Sequence, residues 1–209
     1  MILFELTEKE SHPVYQELEI SNGIRQYDFL RDIIAAAVKI DRPMLSHQII
    51  KALNYHAIAC LHTNPGEYRP CDVKVGSHRP PPDFRVQALM DDFVDQVNRY
   101  WDEPDLAYQA AWILWRLNYI HPFINGNGRT ARAIAYFVLC VRAEGPLPGE
   151  KILPALIKEH RAEYVAALRV ADMSIGSSPV DQSFNKKSVQ LEDLKDLIDQ
   201  LLEEQIGVE

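Results

Sequence analysis

Apolar residues recur at helical spacing along most of this 209-residue chain. Positions three and four residues apart lie on one face of an α-helix, so this spacing predicts helices that bury one side. The predicted helices are 26–40, 44–62, 83–101, 105–120, 132–141 and 154–172, followed by an amphipathic helix from Ser188. Two of them, 105–120 and 132–141, are apolar nearly all round, which places them at the centre of a bundle.

The helical pattern breaks between residues 64 and 82, where the sequence is NPGEYRPCDVKVGSHRPPP. Prolines and glycines are dense here, and Cys71, Val73 and Val75 alternate with polar residues. This composition and alternation predict a short β-hairpin at about 68–77 and then a rigid loop. The fold class that follows is mainly α, a helical bundle with one small β element.

The chain is long enough to bury one sizeable core without a second domain. We expect one compact unit in three parts. Residues 1–43 form an N-terminal helical segment, residues 44–172 form the core, and residues 173–209 form a polar connector and a C-terminal amphipathic helix.

Composition narrows the classes of protein. The formal charge is 22 − 30 = −8 with a pI near 5.4, which argues against a nucleic-acid partner. Three scattered cysteines (Cys60, Cys71 and Cys140) form no CxxC pair, so neither a disulfide framework nor a zinc site is expected. The first apolar run is too short for a secretion signal, and no run is long enough for a bilayer. We expect a cytoplasmic protein with no membrane partner.

The segment HPFINGNGRTAR joins the two most apolar helices. Pro122 disfavours helical geometry at His121, which therefore marks the end of a helix. Gly126 and Gly128 flank Asn127 and allow a tight turn. The next helix begins at once, so its free N–H groups and the turn together predict an anion site.

Arg129 and Arg132 follow the turn and share one helix face, because they are three residues apart. The helix dipole opposes cations in the first turns, and a bound anion would remove that penalty. Arginine also binds phosphate oxygens in pairs. A helix stop, a turn or two solvated arginines would each be an ordinary feature alone. Within twelve residues they favour a phosphate site with a histidine at its edge.

This segment resembles the motif of the Fic family, which is roughly HPF-x-(Asp/Glu)-GN-(Gly/Lys)-R-x-x-R. The matching residues are His121, Pro122, Phe123, Gly126, Asn127, Gly128, Arg129 and Arg132. NPGEYRP, the PPP stretch and WRLNYIHPF also resemble family segments. The resemblance covers roughly residues 15–205 and implies a Fic-fold helical bundle in which the hairpin at 68–77 is the flap that aligns a target segment.

The resemblance implies a protein adenylyltransferase. His121 would be the general base that takes a proton from a Ser, Thr or Tyr hydroxyl of a target protein, which then receives AMP from ATP. The nucleotide-binding residues would be Gly126, Asn127, Gly128, Arg129 and Arg132, with Phe123 as the anchor of their loop. Nucleotide and target protein are the expected partners; automodification and homo-oligomer formation stay open.

One position departs from the family pattern, because Asn125 stands where the family usually has an acid that holds magnesium. An amide oxygen can coordinate Mg²⁺ or Mn²⁺ without contributing negative charge. Asn125 is therefore either a weak metal ligand, or the mark of a nucleotide-binding regulatory module with little transferase activity. The first is favoured because His121 and both arginines are present, and it predicts that Asn125→Asp raises activity. A phosphotransferase is less favoured, because its relatives resemble the pattern with Lys in place of Gly128.

Many Fic proteins carry an inhibitory helix, [Ser/Thr]-x-x-x-Glu-[Gly/Asn], whose glutamate pairs with the second motif arginine. The residues from Ser188 to Asp193 come close to that pattern and make Glu192 a candidate inhibitory residue. Ser188 is equally a natural helix N-cap, and Thr63 to Glu67 fits the first five positions as well. An unchanged activity in Glu192→Gly would rule out this inhibition.

Overall fold

The structure, a computed structural model, describes residues 2–40, 44–76, 78–175 and 189–207. Within these ranges the chain forms helices and almost no β structure, as the apolar spacing predicts. The helices are α1 (Leu3–Thr7), α2 (Pro13–Lys39), α3 (His47–Ile58), α4 (Val86–Arg99), α5 (Leu106–Ile120), α6 (Asn127–Arg142), α7 (Leu153–Glu159), α8 (Arg161–Ile175) and α9 (Glu192–Ile206). A 3-10 turn, Asp83–Arg85, leads into α4.

Helices α5 and α6 form the centre of the bundle, as their apolar composition predicts. They pack against each other, and α5 also contacts α4, α8 and α9. Trp112 and Trp115 are buried on α5, and Phe137 is buried on α6. Burial of large aromatic side chains is the main stabilising contribution in such a core. Since α5 ends and α6 begins at the HPFINGNGRTAR segment, that segment is fixed from both sides.

Helix α2 begins at Pro13, well before the predicted start at residue 26. Proline suits the first turn of a helix, and the His12 side chain caps this one by accepting from the Val14 N–H at 3.3 Å. The apolar pattern hides this part of α2, because polar residues face the core. Asn22 and Gln26 are buried and donate to backbone carbonyls of the α3 region, at 2.9 Å each.

Two other boundaries differ from the sequence prediction. Helix α6 begins at Asn127 rather than at residue 132, because Gly126 takes a left-handed conformation and serves as its N-cap. The helix predicted over 154–172 is two helices, which meet at His160. The predicted start of the last helix, Ser188, and most of the polar connector lie outside the described residues.

The predicted hairpin is smaller than expected. In the described part of residues 64–82, one antiparallel bridge pairs Val75 with His78, and their N–H···O distances are 3.2 and 2.9 Å. Prolines at 70 and 80–82 lack the N–H that a longer ladder would need. We call residues 68–82 the flap segment. None of the helices in the described ranges has the length and apolar character to cross a membrane.

Candidate active site

His121 is the C-terminal cap of α5 and has a left-handed backbone, with φ 50° and ψ 59°. Its N–H donates to the Leu117 carbonyl at 2.9 Å, and Pro122 ends the helix there. Burial lowers the pKa of His121 to about 4, helped by the positive charges of His78 and Arg69 and opposed by a hydrogen bond to the Asn118 backbone. The ring is therefore neutral at neutral pH, and one nitrogen remains available as a proton acceptor.

The loop after His121 has a fixed shape. Gly126 has φ 78°, and a Cβ there would lie 2.7 Å from the Ile58 Cγ2 and 3.0 Å from the Asn54 Nδ2, so only glycine fits. The Asn127 side chain closes the loop by accepting from the Phe123 N–H and donating to the Phe123 carbonyl, both at 2.9 Å. Phe123 is fully buried and anchors the loop to the core.

Arg132 is a half-buried cation near the start of α6. Burial lowers its pKa; the hydroxyls of Tyr164 and Tyr27 oppose that shift, and the charges of Arg129 and Arg161 add to it. Its Nε has no hydrogen-bond partner, and no carboxylate within the described ranges lies at ion-pair distance. A guanidinium whose Nε is buried without a partner favours the arrival of an anion.

Arg129, in contrast, is already paired. Its guanidinium donates to the Ala57 carbonyl at 3.0 Å and to the Asn125 Oδ1 at 2.9 Å, and it forms an ion pair with Glu19 of α2 at 3.0 Å. The two motif arginines therefore differ in their hydrogen-bond and ion-pair partners, although the sequence pattern does not distinguish them. Glu19 carried no signal in the sequence, because it is one acidic residue among several in a polar stretch.

Asn125 uses its side chain in three hydrogen bonds. Its Oδ1 accepts from Arg129 Nη2 at 2.9 Å and from the Gly126 N–H at 2.6 Å, and its Nδ2 donates to Glu10 Oε1 at 2.9 Å. A metal ion on that oxygen would lie against a guanidinium, so this arrangement does not fit the expected role as a magnesium ligand. Across the described ranges, no group of three or more His, Cys, Asp or Glu residues could hold a metal ion.

A polar network links this corner to the N-terminal segment. Glu10 also lies 3.4 Å from His62 Nε2, and the same nitrogen is 2.8 Å from the hydroxyl of fully buried Tyr15. Burial raises the pKa of Tyr15 to about 12, and the charge of Glu10 adds to the shift. These residues were not predicted, because contacts between positions so far apart leave no local pattern.

The network changes the outcome expected for Asn125→Asp. A carboxylate at 125 would face the Glu10 carboxylate across the present 2.9 Å contact and repel it. We expect this variant to lose about 1 kcal/mol of unfolding free energy, measured by urea denaturation, because the site is partly exposed and a hydrogen bond is replaced by repulsion. The gain in activity predicted from the family pattern is then expected only together with Glu10→Gln.

Glu10→Gln alone is the control, since its amide can still bond to Asn125. The double variant Asn125→Asp with Glu10→Gln should regain the lost stability, because the introduced glutamine amide can donate to the new carboxylate. Equal destabilisation in the single and double variants would contradict a direct contact between residues 10 and 125.

Glu192 does not meet the motif. It starts α9, and its charge helps to raise the pKa of Tyr108 to about 12, after burial and the charge of Glu103, so it lies near the beginning of α5. His121 follows Tyr108 by thirteen residues, which corresponds to about 20 Å along a helix. The hypothesis of inhibition through Glu192 and Arg132 is therefore not supported by this arrangement; the carboxylate beside a motif arginine is Glu19.

Curated proteins are similar to more than half of this chain. Protein adenylyltransferase Fic of Drosophila willistoni is 34% identical over 124 residues, which cover 57% of this chain and 24% of that protein. Protein adenylyltransferase fic-1 of Caenorhabditis elegans is 36% identical over 112 residues, or 52% of this chain and 20% of that protein. The chain thus spans about a quarter or less of the length of these relatives.

Solved structures share the fold. A Fic-domain signalling protein from Bacteroides thetaiotaomicron has a TM-score of 0.69 at 23% identity, covering 98% of this chain and 75% of that chain. Fic-1 from C. elegans has a TM-score of 0.66 at 21% identity, with 98% and 54% covered. IbpA Fic2, solved with adenylylated Cdc42, has a TM-score of 0.57 at 17% identity, with 93% and 58% covered.

A sequence model of a protein family also matches part of this chain directly. The sequence model of the Fic/DOC family matches residues 44–139, a range that contains the whole of α3 to α5 and the loop from His121 to Arg132. This stretch of the chain therefore belongs to the Fic/DOC family.

Proposed function

We propose that this chain transfers AMP from ATP to a Ser, Thr or Tyr hydroxyl of a target protein. The observation that carries the proposal is the state of Arg132, a half-buried guanidinium near the start of α6 whose buried Nε has no partner. An anion is the group that satisfies such a cation, and a nucleotide phosphate would arrive beside the neutral ring of His121. The names of the curated relatives support AMP as the group transferred.

In the proposed step, His121 accepts the proton of the target hydroxyl. The hydroxyl oxygen forms a bond to the α-phosphorus of ATP, and the bond from that phosphorus to the bridging oxygen of the β-phosphate breaks. Pyrophosphate leaves with the electron pair, and the target keeps the AMP group. The contact of the ring with the Asn118 backbone supports this role, because it fixes the ring orientation and leaves the other nitrogen to act as base.

Phosphate binding is proposed for the loop and helix start from Gly126 to Arg132. The first N–H groups of α6 are free of intrahelical partners, and anions are stabilised at such a terminus. Arg132 would add a two-point contact to phosphate oxygens and stabilise charge on the leaving pyrophosphate. Magnesium belongs to this proposal only as part of the ATP substrate.

A second candidate function is a nucleotide-binding regulatory module with little transfer activity. The contacts of Asn125 favour it, because its oxygen is bound to Arg129 rather than open to a metal ion. Both functions predict nucleotide binding, so binding alone does not separate them. Transfer of AMP with magnesium or manganese present does.

The test is incubation with labelled ATP, alone and with a cell lysate, followed by mass spectrometry of modified proteins. We expect addition of AMP to protein hydroxyls, with the chain itself checked as an acceptor, and loss of label with His121→Ala. The solved structure of IbpA Fic2 with adenylylated Cdc42 supports a protein as acceptor. Nucleotide binding without any AMP transfer would contradict the proposed enzyme and favour the regulatory module.

The rate of transfer should keep its value to an unusually low pH. Burial lowers the pKa of His121 to about 4, so the ring stays an unprotonated base between pH 6.5 and that value. We expect kcat/KM, measured by AMP transfer across a pH series, to fall on the acid side with a midpoint near pH 4. Circular dichroism at each pH confirms that the protein stays folded.

The free energy of unfolding, in contrast to the rate, should decrease as the pH drops below 6.5. The unfolded chain takes up the His121 proton below pH 6.5, and the folded chain does so only near pH 4, so this residue destabilises the fold as the pH drops through that window. An acid midpoint near pH 6.5 in kcat/KM would contradict the proposal that a half-buried, neutral His121 is the base.

A further inference from the structure

His78 lies at the end of the flap bridge and connects the flap segment to two helices. Its Nε2 is 3.0 Å from the Tyr119 carbonyl of α5, and its Nδ1 is 3.5 Å from Asp172 Oδ2 of α8. The other oxygen of Asp172 accepts from the Trp115 Nε1–H at 3.0 Å. One side chain of the flap segment is thus tied to the last turn of the helix that ends in His121.

Both neighbours of the His78 ring are hydrogen-bond acceptors. The carbonyl of Tyr119 can only accept, so Nε2 must carry a proton. Nδ1 faces the Asp172 carboxylate across 3.5 Å, which is ion-pair distance. Burial raises the pKa of Asp172, while His78 and the Trp115 hydrogen bond oppose that shift.

The beginning of the flap segment is tied to the same place. Buried Arg69 donates through Nε to the His121 carbonyl at 2.8 Å and through Nη1 to the Cys71 carbonyl at 2.9 Å. The hydrogen bonds from His78 and Arg69 thus end on the backbone carbonyls of residues 119 and 121. Between them, Lys74 and Val75 remain exposed.

We infer that the His78–Asp172 pair is a positioning device for the acceptor: it fixes the distal end of the flap segment relative to His121 and so aligns the target hydroxyl with the base. The inference rests on the proposed function, because alignment matters only if a target segment binds at the flap. His78 and Asp172 act through the flap backbone, without contacting the reacting atoms themselves. Placement of reacting groups contributes strongly to rate, so a loosened flap should weaken use of the acceptor.

The pair can be tested with variants that separate hydrogen bonding from packing. His78→Ala and Asp172→Ala each remove the tie. Asp172→Asn should keep it, because its oxygen can accept from Trp115 and its amide can donate to a neutral His78 ring, whose Nε2–H still reaches Tyr119. His160→Ala is the matched control, since His160 is a partly exposed histidine that pairs with Glu163 on the surface.

The rate of tryptic cleavage measures how ordered the flap segment is, and this measurement does not depend on AMP transfer. From Pro70 to Pro82 the only lysine or arginine residues are Lys74 and Arg79, and Arg79 precedes a proline, which leaves Lys74 as the cleavable site. Cleavage in a folded protein follows the population of the open segment. We expect cleavage at Lys74 to become about tenfold faster in both alanine variants, and to stay within twofold of wild type in Asp172→Asn and His160→Ala.

The kinetic arm measures AMP transfer to an identified target. Both alanine variants should raise the KM for the target about tenfold and leave ATP affinity within twofold of wild type, while Asp172→Asn behaves as wild type. Unchanged cleavage in His78→Ala, an unchanged target KM, or Asp172→Asn as impaired as Asp172→Ala would each overturn the inference. A wild-type protein that transfers no AMP would instead contradict the proposed function, and the cleavage arm would still decide whether the pair holds the flap.

Discussion

His121→Asn should lower kcat for AMP transfer by roughly a thousandfold, within the usual range for loss of a general base. Asparagine is preferable to alanine here because the backbone at His121 is left-handed, with φ 50°. Asparagine tolerates that conformation better than other non-glycine residues, so the variant should fold without added strain. Its amide cannot accept the hydroxyl proton as imidazole does.

The measurement is single-turnover transfer from labelled ATP, with ATP affinity determined by calorimetry on the same preparations. Affinity should stay within about twofold of wild type, because His121 is proposed to act on the acceptor and not on the phosphates. His121→Ala should match the loss in kcat and add some loss of stability. A variant that retains more than a tenth of wild-type activity would exclude His121 as the base.

Arg132→Met should nearly abolish nucleotide binding and at the same time leave the free protein as stable or more stable. Loss of a buried charged contact to the phosphates should weaken ATP binding on the order of a hundredfold. In the free protein, however, methionine removes a half-buried cation whose buried Nε has no partner. Replacing such a charge with an apolar side chain of similar length often stabilises, here by about 1 kcal/mol.

Arg129→Met is the matched control, because it changes the same residue type one turn earlier. It should destabilise the protein, since Glu19, Asn125 and the Ala57 carbonyl all lose a donor. Urea denaturation without nucleotide measures both stabilities, and calorimetry measures ATP binding. Destabilisation of equal size in both variants would show that Arg132 has a structural partner in solution and would remove the main support for the anion site.

The centre of the fold follows from the sequence because its physics is local. Helices α5 and α6 are apolar nearly all round, and the motif between them combines a His-Pro helix end, two glycines and two arginines within twelve residues. Gly126 in particular is required by its backbone and by the nearby Ile58 side chain. The loop between the two central helices and its glycine turn could therefore be predicted from local sequence alone.

The N-terminal half was harder to predict, because its buried positions are polar. Asn22 and Gln26 face α3 through hydrogen bonds to carbonyl groups, so the first half of α2 has no apolar stripe. The same limit applies around the site. Glu10, Glu19 and the His78–Asp172 pair reach it across long separations in sequence, and no spacing rule connects such positions.

The candidate inhibitory residue Glu192 shows the opposite failure. The short pattern around it comes close to a family feature, yet the residue lies beside Tyr108 at the far end of α5. A pattern of six residues with three restricted positions, of which this chain meets two, recurs readily by chance. The position of a carboxylate relative to an arginine is decided by packing, which such a pattern does not contain.

If a nucleotide binds as proposed, the ion pair between Glu19 and Arg129 makes binding at that arginine an exchange of anions. A phosphate that takes the guanidinium must release a carboxylate of α2, so the number of charge pairs at Arg129 stays constant. Affinity at this point is a difference between two pairings, and the net gain comes chiefly from Arg132. Filling of the site would then free the Glu19 carboxylate on the 27-residue helix α2.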